Sequence, residues 1–257
     1  IILEEPVMDE VVLLKRKLMD AANKSYNSGI YTYTNFLSIN ELSIYHSMKN
    51  DLSFVHSETF GGNESCERQV VQFGDKENLG YEGTYPISLI KIEPLTPKFA
   101  EELGHRDYLG ALMNLGIQRE LLGDIFIKEK EAYVYCLSHI SDFISDNLES
   151  VRHTHVKVTI FNDDFDIIKP ELKDIEIIAA SPRIDAVVAS ITKMSRSQCL
   201  ELFSSKKIYV NGLCMENKSS QLKEGDILVI RGFGKFIYNG SGNETRKGRV
   251  YVKLQKY

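Results

Sequence analysis

Lys193-Met194-Ser195-Arg196-Ser197 stands one residue away from KMSKS, the loop with which class I aminoacyl-tRNA synthetases hold ATP phosphates. That chemistry needs a nucleotide-binding sheet to present the lysines, with a HIGH-type motif far upstream. The nearest counterpart, His139-Ile140-Ser141-Asp142, lacks the glycine and lies too close to Lys193 to enclose the rest of a catalytic domain. No Gly-rich phosphate loop accompanies it. A simpler role is open to Ser195, which forms Ser-x-x-Gln with Gln198, a capping box that opens a helix. His105-Arg106-Asp107 spells the start of a kinase catalytic loop. The metal-binding asparagine belongs five residues after the aspartate, where Leu112 stands, and Asn114 follows two later. Arg106 and Asp107 are expected to begin a helix and pair locally. His153 and His155 would face one way on a strand, yet no third ligand joins them, so no metal is expected. Cys66-Glu67-Arg68 fits no nucleophile triad; Glu67 and Arg68 are read as a local ion pair or an RNA contact. With no catalytic signature and no cofactor loop, the chain reads as a non-enzyme without a cofactor.

The elements that would position these residues belong to an ordinary globular chain. Of its 257 residues, 43% are apolar and 26% charged, too hydrophobic for intrinsic disorder. No run approaches the roughly 20 apolar residues that span a bilayer. The first ten residues lack the basic and apolar regions of an export signal, and the opening on Ile1 leads us to expect a few missing initial residues. The four cysteines (Cys66, Cys136, Cys199, Cys214) form no C-x-x-C pair and are expected to be reduced thiols in a cytoplasmic protein. The net charge of −5 conceals an asymmetry. From Arg183 to Tyr257 there are 14 Lys and Arg against 6 Asp and Glu, a net of +8; the remainder carries 17 basic and 30 acidic groups, a net of −13. A basic block on an acidic body is the electrostatic footprint of a nucleic-acid-binding appendage.

The fold class expected is α+β in three parts. Residues 1–76 read as a mostly helical N-terminal domain: Val7, Val11, Leu14, Leu18 and Ala21 recur at helical spacing, Phe36 to Met48 reads as a second helix, and Ser53 to Gly74 as strands. Residues 77–180 read as strand, helix, two strands, helix, strand, the ferredoxin-like order shared by RNA-recognition domains and many unrelated ones. Tyr133 and Tyr135 share a strand face and could stack bases, but packing is the reading preferred. Residues 181–257 begin with Ser181 and Pro182, suited to an N-cap and first helical position. Ile184, Val187, Val188 and Ile191 then form one apolar stripe, and Cys199, Leu202 and Phe203 line a second helix. Asn211-Gly212 signals a hairpin and Gly225-Asp226 a further turn.

The Arg-x-Asp opening at Arg183, Ser195-Arg196 before the second helix, the Val210-Asn211-Gly212 hairpin and the Gly225-Asp226 turn occur together in an order that resembles the alpha-L, or S-four-type, RNA-binding motif. With "FGGNESCER", "HRDYLGALMNLGIQRELLGDI" and "IRGFGKF", most of the chain resembles the YlmH family. Lys235 stands where that family leads us to expect arginine, and "FLSINE" where it reads more like Phe-Leu-Asp-Pro. The resemblance implies a bacterial factor that engages ribosomal RNA and tRNA on the large ribosomal subunit, in rescue or quality control of stalled translation. The residues themselves make Arg183, Ser195, Arg196, Lys206 and Lys207 candidates for one basic groove that reads structured RNA by its phosphates and shape. Equally, Lys206 and Lys207 would complement a helix C-terminus and Ser195 would only cap. Asn211 joins the candidates through the hairpin. Arg231, Lys235, Arg246, Lys247 and Arg249 form a second basic set, an RNA contact or a surface hairpin. A monomer away from the membrane is expected. The rival readings are a scaffold linked to cell division and an RNA-modifying enzyme with an unrecognised site.

Overall fold

The computed structural model describes residues 9–161, 168 and 172–257. Its first helix, α1 (Glu10–Ser28), begins where Asp9 accepts the Val11 N–H and ends at Gly29, whose left-handed φ of 63° lets its N–H reach the Ser25 carbonyl. Leu18, Ala22 and Ser25 are buried, but Val11 is exposed and Val7 lies outside the described residues. After β1 (Thr32–Tyr33), helix α2 (Ile39–Ser47) opens with a capping box between Ser38 and Glu41. Ser38 sits at the aspartate of the expected Phe-Leu-Asp-Pro, and either side chain caps the helix in the same way. Strands β2 (Ser57–Phe60) and β3 (Val70–Phe73) join β1 in a three-stranded antiparallel sheet of order β1-β3-β2. The N-terminal segment thus combines two long helices with a sheet, and ends in a single-turn helix, α3 (Lys76–Leu79).

The next elements run β4 (Ile87–Pro94), α4 (His105–Asn114), β5 (Leu122–Lys128), β6 (Glu131–Leu137), α5 (Ser141–Asn147), β7 (Ser150–Val151) and β8 (Thr154–Phe161). Helix α5 stops at Asn147, because Ser150 and Val151 pair with His155 and Thr154 across a turn. All pairs are antiparallel and the strand order is β5-β6-β4-β8-β7. Alternation along the strands builds two cores. Ile90, Ile92, Val134 and Cys136 face α4 and α5, while Leu89, Tyr133, Tyr135 and Leu137 face Phe36, Cys66 and Val70 of the N-terminal segment. Tyr135 is 0% exposed and accepts a hydrogen bond from Asn63 at 3.0 Å. Packing therefore occupies the tyrosine face that base stacking would need. Gly62, at φ 113°, lies so close that a Cβ there would stand 2.2 Å from the Tyr135 ring.

Contacts divide the chain into two units, Ile1–Lys169 and Pro170–Tyr257. The N-terminal and central segments share the first. In the second, β9 (Lys173–Ala179), α6 (Ile184–Thr192), α7 (Arg196–Ser204), β10 (Ile208–Val210), β11 (Leu213–Cys214), β12 (Ile227–Ile230), β13 (Gly234–Glu244) and β14 (Val250–Lys256) build a six-stranded sheet of order β11-β10-β12-β13-β14-β9. Strand β9 precedes the expected boundary at residues 180 and 181, yet it pairs with β14 from Lys173↔Lys256 to Ala179↔Val250. Its partner is some 75 residues away in the chain, beyond the reach of a local reading. One core of Ile184, Val187, Val188, Leu202, Phe203, Ile208 and Phe236 fixes both helices on the sheet.

Candidate nucleic-acid interface

The Lys-Met-Ser-Arg-Ser stretch is the joint between α6 and α7. Lys193 ends α6 in the left-handed conformation (φ 55°), and Ser195 caps α7 in a reciprocal box with Gln198. The first turn of α7 thus presents helix N–H groups beside an exposed Ser195 and Lys193, a setting that favours an anion. Arg196 is the first residue of α7; its side chain lies outside the described residues. Helix α6 begins later than Ser181 and Pro182 imply, with Arg183 as N-cap. The cause is a bridge between Arg183 and Gln221, which keeps Arg183 extended while Ile184 donates to the Ser220 carbonyl at 2.9 Å.

The side chain of Arg183 forks onto both oxygens of Asp185, at 3.1 and 2.8 Å, and reaches Ser219. With Arg249 it lines a cavity of about 560 Å³ between α6, the start of α7 and the end of β9. Cys199 lies on the same wall; burial and then the nearby Asp185 carboxylate push its thiol pKa up, so it is a poor nucleophile. Lys206 and Lys207 stand at the opposite end of α7, where Lys206 takes φ 52° and donates to Phe203 while Lys207 donates to Leu202. That is a Schellman ending with lysine at the usual glycine position. Both lysines are exposed, and the Arg231 N–H binds the Lys207 carbonyl at 2.9 Å, which brings a third basic residue alongside. Arg231 also neighbours Tyr209, whose phenol burial pushes up in pKa and the arginine partly draws back.

The structure therefore forms two basic clusters where the sequence led us to expect one groove. Arg183 and Arg249 gather beside the start of α7, while Lys206, Lys207 and Arg231 gather past its end; the nine-residue helix between them is about 14 Å long. Asn211 belongs to neither: its amide donates to Asp226 at 2.8 Å and accepts from Ile227 at 2.9 Å, tying the Asn211-Gly212 turn to the Gly225-Asp226 turn. Arg246 and Lys247 are exposed in the tight turn between β13 and β14, where Thr245 holds Arg249. Lys235 departs from its set. It is only 8% exposed, and its ammonium sits 4.5 Å over the ring of Tyr257, a cation–π contact no local pattern announces.

Two further motifs of the first unit also have structural roles. Asp107 accepts the Gly104 N–H at 2.8 Å and pairs with Arg152 at 2.8 Å, rather than with Arg106. Arg68 donates to the carbonyls of Phe36, Arg119 and Leu122, and Asp124 takes the N–H groups of Glu67 and Arg68. Arg68 is a clasp between segments. His153 lies in the turn before β8, so it does not share a strand face with His155. Among the described residues no helix is long and apolar enough to cross a membrane.

The fold is α+β, with an acidic first unit and a basic second one. Residues 81–164 match the family described as "Putative RNA-binding domain in YlmH". Over 155 residues, 59% of its length, the chain is 30% identical to the ribosome-associated protein quality control protein P2 of Bacillus subtilis (strain 168), and the match spans 60% of that relative. A solved structure, the cell division protein ylmH from Streptococcus pneumoniae, is similar at 22% identity and a TM-score of 0.48, covering 61% of this chain and 94% of that one. Segment 81–164 is thus similar to the RNA-binding domain described for the YlmH family.

Proposed function

We propose that the protein is a non-catalytic RNA-binding factor of the cytoplasm, a monomer that engages ribosomal RNA and tRNA on the large ribosomal subunit during rescue of stalled translation. The observation that carries the reading is the second unit itself. It concentrates a net charge of +8 from Arg183 onward and leaves Lys206, Lys207, Arg231, Arg246, Lys247 and Arg249 exposed, with the start of α7 open between its basic neighbours. Two basic clusters at opposite ends of a helix about 14 Å long suit phosphates on either side of a groove in folded RNA, read by shape. The likeness to a ribosome-associated quality control protein supports the choice of RNA. The specific contacts assigned are Arg183, Ser195, Arg196, Lys206, Lys207, Arg231, Arg246, Lys247 and Arg249, with Asn211 and Lys235 shaping the unit that presents them.

Filter binding of tRNA and ribosomal RNA to residues 170–257 and to the full chain, across a salt series, tests this. Affinity that falls with salt, is retained by the second unit and drops in Lys206→Ala/Lys207→Ala agrees with the proposal. Salt-independent binding, or binding unchanged in the variant, overturns it.

A further inference from the structure

We propose that the first unit carries a separate recognition site, a pocket for an arginine side chain presented by a protein partner. A cavity of about 500 Å³ lies against the three-stranded sheet, with Tyr31, Glu58, Gln72, Asp75, Glu77 and Glu82 among its walls. Gln72 is the unusual member. It sits on the central strand β3, is only 8% exposed, and its Oε1 accepts no hydrogen bond among the described residues. A buried carbonyl left without a donor is a cost to the fold, and a group bound in the cavity could remove that cost.

The register places Glu58 directly across from Gln72 on β2, so a carboxylate and the amide share one face of the sheet. Four carboxylates line the cavity against one lysine, and that lysine, Lys76, is already paired with Glu82 at 2.8 Å. His56 pairs with Glu58 at 2.9 Å. Asp75 is held in place by the side-chain amide of Asn78 and then by its backbone N–H, which keep the carboxyl below the usual range. The Tyr31 ring is fixed as well. Its hydroxyl donates to the Tyr81 carbonyl at 3.0 Å, and the backbone of Gly83 approaches so closely that a Cβ there would stand 2.6 Å from the ring.

An amide oxygen, carboxylates and a tyrosine ring form a set of acceptors that calls for a ligand of donors only. Guanidinium fits better than ammonium, because its planar fork can serve Gln72 and Glu58 together while its face lies on Tyr31. The carboxylates would repel a nucleic-acid phosphate, so the partner is a protein with an exposed arginine. This site is independent of the RNA contacts proposed for the second unit.

The test is a titration of the ¹⁵N-labelled full chain with acetyl-Gly-Arg-Gly-amide, and with matched citrulline and lysine peptides. The proposal expects saturable shifts at the Gln72 side chain and at the Gly74 and Gly83 amides, with citrulline bound at least ~tenfold more weakly and lysine in between. Gln72→Met should lose these shifts with the rest of the spectrum unchanged. Should that variant fail to fold, the exposed pair Glu58→Gln/Glu77→Gln makes the same test. Equal response to citrulline, no saturable shift, wild-type binding in the folded variants, or the same resonances moving with an RNA oligonucleotide would each overturn it.

Discussion

Lys206 is a residue with two roles. Its backbone ends α7 in a left-handed conformation that glycine adopts without strain, while its exposed side chain contributes to the cluster with Lys207 and Arg231. Lys206→Gly separates the two. We expect stability of the second unit to hold or rise by up to about 1 kcal/mol, because the strain is relieved at the cap. RNA affinity should fall and the slope of log affinity against log salt should shrink by about one, because one phosphate contact is lost. Urea unfolding and a binding series on the same variant decide it; a stable protein with unchanged RNA binding would make Lys206 a cap only. At this scale the sequence was legible where a rule is local. Ser195 and Gln198 identify a helix start from four consecutive residues, and the same rule disposes of the ATP-loop reading. Lys235 was not legible, since the Tyr257 ring that covers it lies 22 residues on, brought back by the β13–β14 pairing.

At the scale of elements, the two capping boxes are the most direct predictions. Ser195→Ala should destabilise the second unit by about 1 kcal/mol in thermal or urea unfolding, since it frees the N–H of Gln198. The central sheet carries a charge ladder with its own pH signature. Lys91 bonds Glu93 at 2.9 Å and Glu131 at 2.8 Å, and Lys157 bonds Glu93 at 3.0 Å. The hydrogen bond from Lys91, then that from Lys157, holds the Glu93 carboxyl below its ordinary range. A depressed carboxylate contributes stability above its unfolded value and loses it as pH falls through the folded one. With Glu93 about a fifth exposed, the contribution is up to about 1 kcal/mol, and Glu93→Gln should flatten that part of the acid limb between neutral pH and pH 3. An equal acid sensitivity in the variant would contradict this. Element identity was largely readable because period and punctuation are local: Gly29 and Gly116 end helices, and Asn211-Gly212 turns a hairpin with both φ angles positive. Element starts that depend on distant partners were not. Ser181 and Pro182 satisfy every local rule for a cap, and the bridge of Arg183 to Gln221 moves the start onward.

For the whole molecule, the division into two units matters most. Each has its own core, and charge divides with them: residues 170–257 carry 15 Lys and Arg against 9 Asp and Glu, and residues 1–169 carry 16 against 27. We expect residues 170–257 to fold alone, with a cooperative transition and most of the RNA affinity. The five-stranded sheet of the first unit should be indifferent to RNA through its tyrosine face: Tyr135→Phe removes a hydrogen bond to Asn63 and should lower stability without changing RNA affinity. A loss of RNA binding in that variant would show that the sheet is reached after all. The sequence reported the charge division plainly, because charge is additive and needs no geometry. It could not report that strand β9 crosses the expected boundary, or that one basic groove is two clusters at opposite ends of a helix, because both depend on which strands pair.

The measurement that reaches the central claim most directly is co-sedimentation of the full chain with separated ribosomal subunits across a salt series, beside Arg196→Ala/Lys207→Ala. These two positions belong to opposite ends of α7. The account predicts selective association with the large subunit that weakens as salt rises and weakens further in the variant. Equal, salt-insensitive sedimentation of both proteins, or association with neither subunit, would contradict it.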